Sequence, residues 1–132
     1  SRYCKVFSMS YGVYDLKQFY ARRAGRLVRR LISVHIGEFW PDIRSRRVVG
    51  YGYAVPYLRS FLTEAESVCA IMPAQHGVHH WPEEGPGLAC LGRESELPLE
   101  NESVDLLLVV HGFEFSETPD LLLQECWRVL KS

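Results

Sequence analysis

The sequence has little of what would place its function in several large classes. Its longest apolar run, Leu106 to Val110, is five residues, whereas a bilayer-crossing helix needs about 20. No segment is therefore expected to cross a membrane, and no membrane partner is expected. The first residues, SRYCKVFSMS, lack the apolar core of a secretory signal, so the cytoplasm is the expected location. There are four cysteines, at positions 4, 69, 90 and 126, with no Cys-x-x-Cys among them. That spacing argues against a disulfide framework or a zinc ribbon and for reduced core thiols, with Cys69 and Cys90 inside apolar runs. Repeats and low-complexity tracts are missing too, which leaves one domain of 132 residues.

Hydrophobic residues make up 47% of the chain and include 16 aromatics, enough to fill a core. Charge is unevenly divided. Residues 1–47 hold eleven Lys/Arg against three Asp/Glu, and residues 48–132 hold four against thirteen. A basic front half can mark nucleic-acid binding. Because no aromatic–basic recognition motif accompanies these arginines, nucleic acid is not the expected partner. Pairing of the basic half with the acidic remainder, in the same chain or a neighbour's, is the simpler reading.

Asp15 and Gln18 have the spacing of a capping box. From there Leu16, Phe19, Tyr20, Ala24, Leu27, Val28, Leu31, Ile32, His35 and Phe39 recur at helical intervals. Arg22, Arg26, Arg29 and Arg30 fall on the other side as a solvated face, and Pro41 ends the helix. Next, RVVGYGYAVPYL (47–58) reads as a strand, a Gly-x-Gly turn, and a helix opened by Pro56. Ser67 to Met72 and Gly87 to Gly92 read as short strands. Val104 to His111 is the clearest strand, apolar enough to be covered on both faces. Thr118-Pro119-Asp120 then starts an amphipathic helix that runs to Leu130. Strands alternating with helices predict an α/β fold with a Rossmann-like, doubly wound parallel sheet. About four strands are expected, preceded by an N-terminal amphipathic helix. In such sheets ligands sit beyond the carboxyl ends of the strands, where strand order reverses.

One segment carries more than a fold class. Glu94-Ser95, Leu97-Pro98-Leu99, Ser103-Val104-Asp105 and Arg128-Val129-Leu130-Lys131 stand in that order within about forty residues. This pattern resembles class I S-adenosylmethionine-dependent methyltransferases of the small-molecule type, and the resemblance extends over roughly residues 11–131. It implies S-adenosylmethionine as cofactor, a small-molecule methyl acceptor, and in-line methyl transfer that depends mainly on proximity and alignment. It also implies a cofactor site at Gly50, Tyr51, Gly52, Tyr53 and Ala54, with Met72 at the end of the second family strand. Glu94 would accept from the adenine amino group and Ser95 would offer backbone.

The chain departs from the family pattern at several positions. Gly50 replaces an acid, Ala54 and Pro56 replace glycines, and Ile71-Met72-Pro73 stands where an acid would hold the ribose hydroxyls. These departures keep open an alternative class, a non-catalytic degenerate domain retained for binding or assembly. His111 and Glu114 follow the strand beside which the family's substrate often lies, and His111 has the chemistry of a general base. No other catalytic side chain is indicated. His76, His79 and His80 lie beside Trp81 in a long loop, but no carboxylate or cysteine completes a ligand spacing, so no metal is expected. Residues 1–10 are expected to be an extension and residues 11–132 the domain. On the family's strand order, the strand at Val104 to His111 would be left as an open edge, which leads to the expectation of a homo-oligomer formed through it.

Overall fold

The computed structural model describes residues 3–7, 22–40, 42–73, 88–114 and 116–131. In chain order the elements are β1 (Tyr3–Phe7), α1 (Arg23–Phe39), β2 (Arg47–Gly52), α2 (Val55–Leu58), a 3-10 turn (Arg59–Phe61), β3 (Ser67–Pro73), β4 (Ala89–Gly92), β5 (Leu106–Val110) and α3 (Pro119–Val129). The five strands form one sheet in the order β1-β5-β2-β3-β4, and every pairing is parallel. The fold is therefore α/β and Rossmann-like, as the strand–helix alternation requires. Among the described residues no helix is long and apolar enough to cross a membrane.

Alternation along each strand divides the core into two layers. Val48, Leu106, Leu108 and Val110 face Ile36, Tyr57, Leu58 and Phe61 on one side. Val49, Tyr51, Leu107 and Val109 face Leu122, Cys126 and Val129 of α3 on the other. Every residue of β5 is buried, which is why its sequence is continuously apolar instead of alternating.

The sheet corrects two expectations together. Residues 1–10 do not all lie outside the fold, because Tyr3–Phe7 pairs with Leu106–Val110 residue by residue. β5 therefore has β1 on one side and β2 on the other and offers no open edge for the expected homo-oligomer contact. YCKVF is rich in β-branched and aromatic residues and suits such a lane. Just before β1 begins, the chain emerging from α3 enters the same lane. Leu130 bridges Val104 in parallel, and Lys131 N–H donates to the Val104 carbonyl at 2.9 Å.

α1 packs differently from its sequence pattern. It buries Ile36, with Ile32 partly covered and Trp40 buried just beyond the helix, whereas Leu27, Leu31 and Val34 are exposed. Among the described residues, those of this region that join the core, Ile32, Ile36 and Trp40, lie in or just beyond the C-terminal half of the helix. Asp15, Gln18 and Pro41 lie outside the described residues, as do His76, His79, His80 and Trp81. Cys69 and Cys90 are free and half-buried, not fully buried, while Cys126 is buried and free.

Candidate functional site

Because all strands run the same way, the carboxyl ends of β2, β3, β4 and β5 share one rim of the sheet. Gly50–Ala54 leave β2 there, Met72 closes β3, Glu94 and Ser95 follow β4, and His111 and Glu114 follow β5. Residues scattered over more than sixty positions are thus gathered on one edge. The chain goes from β2 outward to β3 and β4, then returns to place β5 on the other flank of β2. Gly52 and Val110 are paired across that reversal, where ligands bind in open parallel sheets.

The two turn glycines have reasons inside the protein. A Cβ on Gly50 would stand 2.6 Å from the Ala54 Cβ and 2.6 Å from a Leu58 methyl, so α2 closes directly onto the strand. Gly52 has φ +86, and a Cβ there would stand 2.3 Å from the Val110 carbonyl oxygen. The Tyr53 N–H donates to that same oxygen at 2.7 Å. Ala54 is buried and its carbonyl accepts from the N–H groups of Tyr57 and Leu58. A side chain at Gly52 would meet backbone first, so the position is closed by the fold whether or not a ligand lies beyond it.

Glu94 is held by a neighbour that the sequence did not suggest. One carboxylate oxygen accepts from Glu117 N–H (3.1 Å), Thr118 N–H (3.1 Å) and the Thr118 hydroxyl (2.9 Å), and the other accepts from the Ser116 hydroxyl. The carboxylate thereby caps the start of α3, where free N–H groups and the helix dipole favour negative charge. Burial pushes its pKa up, but the hydrogen bonds from Ser116, Thr118 and Glu117 outweigh burial and hold it below the usual carboxylate value. Burial, then the nearby Glu94 and Cys126, push the Tyr51 phenol up to about 12. Tyr51 points into the α3 layer, and Ser95 is exposed.

A second clasp fixes the segment after Ser95. The Arg128 guanidinium donates to the Leu97 carbonyl (3.0 Å), the Leu99 carbonyl (2.8 Å), Asn101 Oδ1 (2.8 Å) and both oxygens of Glu125 (2.7 and 2.9 Å). Glu125 in turn accepts from Leu97 N–H at 2.7 Å. At the far end of the sheet, Asp105 accepts from Arg47 N–H at 2.8 Å and lies 3.5 Å from Lys131 Nζ. The motif residues Leu97, Leu99, Asp105, Arg128 and Lys131 are therefore the joints of the fold.

His111 is 1% exposed and has φ 53, an uncommon conformation for a residue other than glycine. Its Nδ1 lies 3.0 Å from Glu114 Oε2, and its ring centroid is 6.5 Å from that of Tyr53. The Gly112 position next to it is also tight: a Cβ would stand 2.9 Å from the Tyr51 ring. Ser116, Gly112 and Glu125 were not singled out from the sequence, and Thr118 was read only as a helix start. The one available signal was Ser/Thr immediately before the Pro119 helix start.

A family model described as a methyltransferase domain matches residues 48–132. The chain belongs to the class I S-adenosylmethionine-dependent methyltransferases. Solved structures of this fold resemble the methyltransferase chain over 89% of its length. An S-adenosylmethionine-dependent methyltransferase from Thermotoga maritima, named as a possible histamine N-methyltransferase, has a TM-score of 0.60 at 21% identity. A chain from the complex between the Haloferax volcanii Trm112 methyltransferase activator and a candidate methyltransferase has a TM-score of 0.56 at 18% identity. The alignment spans 56% of each of those chains, so this chain corresponds to little more than half of them. No curated protein matches the sequence.

The rim lies at the strand reversal, where open parallel sheets bind their ligands. Its side chains fit S-adenosylmethionine incompletely: β3 ends at the apolar Met72 and Pro73, and the Glu94 carboxylate already serves α3.

Proposed function

We propose that the rim formed by Gly50–Ala54, Met72, Ser95 and His111 binds S-adenosylmethionine and a small-molecule acceptor for methyl transfer. The observation that carries this reading is the convergence of these residues at the β2/β5 reversal in a chain of this family. When bound, the cofactor supplies a methyl group on a sulfonium centre. The backbone at Gly52 to Ala54 would hold its amino-acid end, and Met72 would give an apolar wall to the ribose and base. Glu94 would act by fixing the β4 rim and the α3 start, and Ser95 would offer backbone.

On the acceptor side, Glu114 orients His111. With the carboxylate accepting from Nδ1–H, His111 would take the acceptor's proton at Nε2 as the methyl bond forms. His111→Gln is expected to lower turnover by about 10²-fold or more, in the range for a positioned base, with cofactor affinity unchanged. Calorimetric titration with S-adenosylmethionine and S-adenosylhomocysteine tests the cofactor reading. Binding in the micromolar range supports it. No heat at millimolar ligand would overturn it and favour the non-catalytic alternative, for which the absent ribose acid and the committed Glu94 already speak.

A further inference from the structure

Helix α1 presents more apolar surface than the sheet uses. Leu27, Leu31 and Val34 are 57%, 61% and 58% exposed. They recur at i, i+4 and i+7, which places them in one stripe along the outer side. Arg22, Arg23, Arg26, Arg29 and Arg30 are all exposed as well, and no acid occurs from Arg22 to Gly37. Arg23, Arg26, Leu27, Arg29, Arg30 and Ser33 line a shallow groove. At about 100° per residue, Arg23 and Arg30 fall directly beside the stripe. An ordinary surface helix turns its apolar side to the core and its charges to water. Here apolar and cationic groups share the outward side. Of the pairing expected between the basic half and the acidic remainder, Arg47 with Glu66 is an instance, whereas Arg44 pairs with Asp42 in its own half.

The occupant has to use both features together. A nucleic acid would engage the guanidinium groups but leave the aliphatic stripe in water. A second copy of the chain could cover the stripe and bring acids from its residues 48–132, an outcome that the oligomeric state separates from lipid. An anionic lipid surface satisfies both, with leucine and valine entering the acyl boundary and arginine reaching headgroup phosphates.

We infer that α1 is a peripheral docking surface for anionic lipid, lying in the plane of the interface with Leu27, Leu31 and Val34 directed inward. The docking uses no residue of the candidate methyltransferase site, so it stands or falls separately. The test is flotation of the whole chain with phosphatidylcholine vesicles, with and without a minority of phosphatidylserine, over a range of salt. The expected result is flotation with the phosphatidylserine vesicles only. Arg23→Gln and Arg30→Gln should each weaken it about fivefold. Leu27→Ser with Leu31→Ser should abolish it even at low salt, while circular dichroism stays unchanged because both side chains are exposed. Three results would overturn the inference. One is no flotation at low salt. Another is flotation that survives the double serine variant. The third is a lipid-free oligomer that the same variant converts to a monomer, which would assign the stripe to a second copy.

Discussion

Replacing Arg128 with alanine removes one guanidinium and five hydrogen bonds to four residues. Hydrogen bonds to a charged group contribute about 1.5–3 kcal/mol each, but they are not additive here. Asn101 is exposed and recovers water. The Leu97 carbonyl keeps the Leu99 N–H at 2.7 Å. What remains uncompensated is the Leu99 carbonyl and the Glu125 carboxylate, whose side chain is 13% exposed. Together they set an expected loss of about 2–4 kcal/mol, near the cost of breaking a largely buried ion pair. That is a large fraction of the roughly 5–15 kcal/mol typical of a domain. Urea unfolding followed by circular dichroism measures it, with an unchanged slope showing that the native state keeps its compactness. Arg128→Lys should fall in between, since an ammonium cannot span the fork. Adding Glu125→Gln to Arg128→Ala should recover part of the loss by removing the stranded charge. An Arg128→Ala midpoint within about 0.5 kcal/mol of the parent would refute the clasp.

Gly52→Ala should lower stability by more than the roughly 1–2 kcal/mol of a left-handed backbone, because its Cβ also meets the Val110 carbonyl. Urea unfolding should detect this with no ligand present, and parent-like stability would contradict it. Glu94→Gln should cost about 1–2 kcal/mol near neutral pH by weakening the cap on α3. The Glu94 pKa is lowered on folding from 4.5, so its contribution is full above that value and is lost as pH falls through the folded pKa. The gap between parent and variant in urea midpoint should therefore close in acid. A gap that persists at about pH 3 would show that the carboxylate charge is not what stabilises the cap.

Local pattern revealed what local physics controls. The apolar run Leu106–Val110, the turn glycines and the Pro119 helix start are short-range signals, and each marks a real element. The same holds for the candidate rim, since parallel strands place all their carboxyl ends together once the order is known. What was not legible depends on partners far along the chain. Arg128 could be quoted as part of a motif, yet its acceptors Leu97, Leu99 and Asn101 lie some thirty residues earlier. Glu94 was expected to face an adenine amino group, because Ser116 and Thr118, more than twenty residues later, reach it only when α3 packs on the sheet. Leu27 and Leu31 were read with Ile32 as one apolar face because periodicity reports that one side is apolar, not which side the sheet meets.

The β1–β5 pairing joins Tyr3 to Leu106 and Phe7 to Val110, the longest sequence separation in the sheet. Contacts that close so large a loop reward folding late and are released early when a protein opens locally. The strand they protect is the least tolerant of release. With β1 detached, β5 would show an unpaired backbone rim beside five apolar residues, a template for indiscriminate strand addition. Those five N-terminal residues therefore govern solubility out of proportion to their number. A bulky fusion crowding Tyr3 should drive the chain to aggregate before any change is visible at the β2 turn.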